Sequence, residues 1–152
     1  MQTLSRSAVR LWIAAACSLL PSSAWAGLGR EEASVLRDQA QFRGDLRRTE
    51  ESGFVVHEIT APGFVVREYS SPEGEVFGVS WRGTAMPDLA QLLGPHFSRF
   101  QQASPTSSRR RRSWSLHTST LVVEMRGHVR DLRGRAYLPG ALPRALSQEI
   151  VQ

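Results

Sequence analysis

The 152-residue chain contains no lysine; all 19 of its basic residues are arginine. Drift in an arginine-rich genome accounts for that as readily as function does, so the bias alone names no partner. Cysteine is nearly absent too. Cys17 is the only one, and it lies inside a stretch with export character. Past that stretch the chain has no disulfide, no thiol nucleophile and no thiolate metal site. Its stability must come from an ordinary hydrophobic core. There is also no apolar run long enough for a membrane helix, which needs about 20 residues.

The first 26 residues carry the features of a secretory signal. Arg6 and Arg10 form a positive start, "LWIAAACSLL" a short apolar core, and Ala24-Trp25-Ala26 a small-x-small cleavage site before Gly27. Cleavage between Ala26 and Gly27 leaves residues 27–152 as one exported domain, periplasmic or extracellular. A second, minor reading makes Cys17 a lipoprotein acylation site and the chain membrane-anchored.

Removing Arg6 and Arg10 lowers the 19 arginines to 17 against 14 acids, a net charge of +3. Arg109, Arg110, Arg111 and Arg112 supply four of those charges within the polar stretch 101–113, "QQASPTSSRRRRS". That stretch is expected to be a flexible linker. A nucleic-acid binder spreads its basic residues over a face and interleaves aromatics. This clustering disfavours nucleic acid and leaves an envelope protein or an anionic polymer as partner classes.

The periodicity predicts an α+β fold in a single domain, an antiparallel sheet with flanking helices. Residues 31–43 read as a helix stopped by Gly44, and 45–52 as a polar loop. A three-stranded meander follows. Its first two strands are near copies, "GFVVHEI" and "GFVVREY", joined through Pro62-Gly63. With those two as the loop, Glu58 faces Arg67, His57 faces Glu68, Ile59 faces Val66 and Val56 faces Tyr69. Such cross-strand pairs favour that register by about 0.2–1 kcal/mol each. Phe77, Val79 and Trp81 alternate along the third strand. Leu89, Leu92, Leu93, Phe97 and Phe100 mark an amphipathic helix that Pro95 must kink or split. Two or three later strands, with a turn at Arg126-Gly127, precede a short helix carrying Leu142, Leu146 and Ile150.

Three stretches stand out: "SVLRD", "VHEITAPGFVVREYSSPEGEVFGVSWRGTAMPDLAQLLG" and "GHVRDLRGRAYLP". Together they resemble a family of small exported proteobacterial proteins, a domain-of-unknown-function family, number twenty-eight forty-four. The resemblance implies an exported protein of unassigned activity and carries over no catalytic residue.

Catalytic signatures are missing. The four histidines show no metal-binding spacing, and no Gly-x-Ser-x-Gly elbow occurs. No cofactor is implied. The candidate ligand-binding residues are His57, Arg67, Glu68, Arg82, His128 and Arg135. Arg82 beside Trp81 and Arg135 near Tyr137 suit an anionic or sugar-like ligand; ordinary core aromatics with arginine reaching outward explain the same pattern. The leading function is a non-enzymatic binding or interaction module of the cell envelope. The alternative is a small periplasmic hydrolase built on His57, Glu68 and His128, which requires those three to share a pocket.

Overall fold

A computed structural model describes residues 27–104 and 113–152. One seven-stranded antiparallel sheet organises them, in the order β1-β2-β3-β4-β7-β6-β5. The strands are β1 (Asp45–Glu51), β2 (Phe54–Ala61), β3 (Phe64–Ser70), β4 (Val76–Gly83), β5 (Ser113–His117), β6 (Val122–His128) and β7 (Asp131–Tyr137). Helices α1 (Val35–Phe42), α2 (Leu89–Leu93) and α3 (Phe97–Ala103) cover one face.

The β2–β3 hairpin has the register its sequence predicts. Ile59 faces Val66, Glu58 faces Arg67, His57 faces Glu68 and Val56 faces Tyr69. Pro62 and Gly63 form the turn, with Gly63 at φ +93°, where a side chain would be strained. Side chains alternate between the two faces along each strand. Ile59, Val66, Val79, Trp81, Val123 and Ala136 therefore point to the helix-covered face, where they pack with Val35, Leu92, Leu93 and Phe100. Phe42 meets Phe64 edge-on at 5.4 Å.

Several local expectations are corrected. Residues 45–52 are not a loop, because Asp45–Glu51 is an edge strand. Leu46 is its one apolar side chain, and backbone pairing to β2 holds the rest. Charged side chains on such an edge discourage pairing with a second molecule. The helix before it spans Val35–Phe42, preceded by a 3-10 turn, and Arg43 closes it in the left-handed region at φ 53°. The kinked helix is two helices separated by a 3-10 turn, Gly94–His96. Asp88 caps α2 by accepting from the Ala90 and Gln91 amides, so Pro87 precedes the helix rather than opening it.

Phe77 does not follow Val79 and Trp81. Tyr69 faces Gly78 while Ser70 faces Val76, so Phe77 is the extra residue of a β-bulge. It packs on the opposite face with Tyr69, Val122, Tyr137 and Val151. The turn near residue 127 is three residues later than expected. Gly127 lies within β6 opposite Leu132, and Val129-Arg130 makes the turn with Arg130 at φ 71°. The expected C-terminal helix is a strap instead, with only a 3-10 turn at Gln148–Ile150. Leu142, Leu146 and Ile150 cover the second apolar cluster from the open side. Residues 101–103 end α3 instead of starting a linker. The run Arg109 to Arg112 lies outside the described residues.

Gly134 is required where it stands. A Cβ there would collide with the indole of Trp81, which is buried against β7. Gly134→Ala should lower unfolding free energy in urea by about 1–3 kcal/mol. Gly140→Ala, where a Cβ meets nothing within 4 Å, should change it by no more than about 0.5 kcal/mol. Equal effects at the two sites would contradict this packing.

Candidate functional site: an arginine ladder on the open sheet face

The C-terminal strap covers only one end of the face opposite the helices. The rest is an open groove of about 1030 Å³ floored by β3, β4, β7 and β6. Two cross-strand rows line it. In one, Ser80 faces Arg67 on β3 and Arg135 on β7, and Arg135 in turn faces Glu124 on β6. In the next, Arg82, Arg133 and Arg126 stand directly opposite one another on β4, β7 and β6.

The first row is internally paired. Arg67 Nε donates to Glu58 Oε2 at 2.8 Å, and Arg135 Nε donates to Glu124 Oε2 at 2.9 Å. The Arg135 bond holds the Glu124 carboxyl below its ordinary range, helped by His117 at 3.0 Å. Arg135 also grips the strap, donating to the carbonyls of Val151 and Gln148 at 3.2 and 3.4 Å. Ser80 and Tyr69 donate to the Gln152 carbonyl at 2.9 and 2.7 Å.

The second row is under-compensated. Arg133 makes a two-pronged bond to Asp131 at 2.9 and 3.0 Å, which depresses the Asp131 pKa. Arg82 reaches the same carboxylate only at 3.8 Å and remains 69 % exposed. Arg126 has no ion pair among the described residues. Like charges directly opposite each other in a sheet are destabilising. The row thus presents three arginines, on strands whose backbones run about 4.8 Å apart, against one acid.

Of the six residues singled out from sequence, Arg67, Arg82 and Arg135 meet in this groove. His128 projects on the same side, at the exposed tip of the β6–β7 hairpin, where it faces Asp131. His57 and Glu68 point to the other face and are buried, 4 % and 0 % exposed. They are no surface pair, and the alternation of β2 and β6 keeps His57 from sharing a pocket with His128. Sequence analysis missed Arg126 and Arg133. The i, i+2 spacing of Arg133 and Arg135 was visible, but a turn placed at Arg126-Gly127 hid the pairing of β6 with β7.

Under α1 the buried side chains form a polar island. Asp38 is wholly buried and accepts from the Gln91 side-chain amide. Glu68 faces it from β3. Burial, then the neighbouring Asp38 carboxyl, raises Glu68 well above the usual range. Burial likewise pushes Asp38 up to about 6, against the opposing hydrogen bonds from Gln91 and Glu68. Neither Glu68 oxygen has a well-formed hydrogen bond, and its raised pKa favours the uncharged form, which lowers the cost of burying two carboxyls together. His57 sits 3.0 Å from Glu32, and burial lowers its pKa.

The chain belongs to a family described as proteins of unknown function (DUF2844), whose model matches residues 24–151. Neither a curated protein nor a solved structure matches it. The DUF2844 match spans every strand of the sheet, and so both rows of the groove.

The buried pair sets a pH dependence. A carboxyl whose folded pKa is raised stabilises the fold in acid, and that contribution disappears as pH rises through the folded value. Moving Asp38 from 3.8 to about 6 corresponds to ~3 kcal/mol, lost between about pH 4 and 7. Urea unfolding across that range should show the decline, and Asp38→Asn should flatten it. Because burial lowers His57 and His96, whose contributions rise with pH over the same range, the Asp38→Asn comparison decides: an unchanged slope in that variant would contradict the assignment.

Proposed function

We propose that the chain is an exported, non-enzymatic binding module of the cell envelope, acting through the arginine ladder. The carrying observation is the row Arg82–Arg133–Arg126, three like charges in register, of which Arg82 and Arg133 share Asp131 and Arg126 has no acid among the described residues. An internally neutral row, such as the adjacent one, would be more stable. Arginine forks facing solvent in this number suit carboxylate, sulfate or phosphate groups from a partner. The hydrolase alternative has lost its geometry, since His57 and Glu68 lie on the covered face.

Export rests on the sequence of residues 1–26. Leu28 is fully buried and its amide donates to the Leu92 carbonyl at 2.9 Å. A cut much past Gly27 would therefore remove core. N-terminal sequencing of the protein recovered outside the cytoplasm should begin at Gly27; a retained Met1 start would defeat this part of the proposal.

Binding is tested by passing the protein over immobilised dextran sulfate and neutral dextran. The wild type should be retained only on the sulfated matrix and released by salt. The triple variant Arg82→Gln/Arg126→Gln/Arg133→Gln should elute at clearly lower salt while unfolding at the same temperature or slightly higher. Unchanged retention of that variant would remove the ladder from the account. If replacing the four arginines 109–112 with Ser then abolished retention, binding would belong to the run instead.

A further inference from the structure

The groove is more than a cationic patch. Carboxylates stand among its arginines: Glu58, Glu124 and Asp131. An ionised carboxylate only accepts hydrogen bonds. It repels a dense polyanion and welcomes a hydroxyl. Glu58 bonds Arg67 through one oxygen, leaving the other without a protein donor among the described residues. Both oxygens of Glu124 and of Asp131 already meet protein donors, so Glu58 is the acceptor open to a hydroxyl beside forks that bind anions.

Trp81 points to the helix-covered face, while Tyr69 and Tyr137 share the groove's face but lie under the strap. Tyr69, Trp81 and Tyr137 are 3 %, 3 % and 4 % exposed. No ring is available for stacking bases, which single-stranded nucleic acids require. The strand backbones that carry the rungs are about 4.8 Å apart, and those of the two ends about twice that. One pyranose unit advances a sugar chain by close to one strand spacing, so the carboxylates of a uronic-acid polymer fall one to two spacings apart. An extended acidic peptide puts its same-side carboxylates about 6.6–6.8 Å apart and brings no hydroxyls.

From these observations, and resting on the groove reading above, we infer that the ligand is a linear acidic polysaccharide carrying a carboxylate on each sugar. The chain runs across β4, β7 and β6. Its carboxylates meet Arg82, Arg133 and Arg126, and where it continues past β4 over β3 its hydroxyls donate to Glu58 on β2.

Calorimetric titration of the full chain at low salt tests this with four probes: an oligogalacturonate of at least four units, galacturonate itself, poly-glutamate, and polyphosphate. The oligosaccharide should bind, and the monomer should bind roughly a hundredfold more weakly, because successive contacts are tethered. Poly-glutamate and polyphosphate should bind about tenfold more weakly than the oligosaccharide at equal charge. Arg133→Gln should weaken oligosaccharide binding about tenfold. Arg82→Gln, at a more exposed position, is the second variant should the first unfold. If polyphosphate or poly-glutamate binds more tightly and remains sensitive to Arg133→Gln, the polysaccharide inference fails and the groove reading stands. If no probe binds, or binding ignores both variants, the groove reading fails with it.

Discussion

The register of the β2–β3 hairpin governs the rest of the molecule. Ile59 opposite Val66 and Glu58 opposite Arg67 decide which side chains enter the helix-covered core and which line the open face. A slip of one residue would exchange the two sets completely. Strands β4, β7 and β6 then inherit the same division, because each pairs in register with the one before it. The position of every candidate binding residue follows from that one alignment.

Two costs stem from it. On the covered face, the alternation that places Val66 in the core also places Glu68 there, two residues along. Asp38 of α1 stands against Glu68, and burial raises both carboxyls so that their charged forms are disfavoured. α1 is therefore positioned by a polar contact as well as by Val35 and Phe42. On the open face, the same alternation lines up Arg82, Arg133 and Arg126. Nothing in the fold requires arginine there. Proteins that break a local rule without structural gain tend to do so where they function. That contrast separates the two sites: the carboxyl pair is sealed and serves the fold, whereas the ladder is open and can serve a partner. The strap sharpens the contrast by closing the apolar end of the face and leaving the basic end accessible.

The sequence disclosed short-range structure well. The near-duplicate strands, their turn and their pairing were legible because complementary residues lie close along the chain. The α+β character and the break at Gly94-Pro95 were legible from periodicity and proline. Polar β1 was not, since an edge strand held by backbone bonds leaves little hydrophobic pattern. Phe77 was misplaced because a bulge shifts alternation without leaving a residue-type signal. The ladder was only half visible. Arg82 and Arg135 stood out beside aromatics, but Arg126 and Arg133 acquire meaning only once β4 and β7, some 50 residues apart, are neighbours. The burial of Glu68 was not legible, because a buried acid is rare unless it is paired, and its partner lies 30 residues upstream.

The central claim is that the open face of the sheet, and the ladder in particular, is the binding surface. The most direct measurement follows the arginine side-chain Nε–Hε resonances by NMR while an acidic oligosaccharide is added. The account predicts that Arg82, Arg126 and Arg133 shift together and saturably, while Arg48, paired with Glu32 and Glu50 on the other face, stays still. Largest shifts at Arg48 or within α1, with the ladder unmoved, would contradict it.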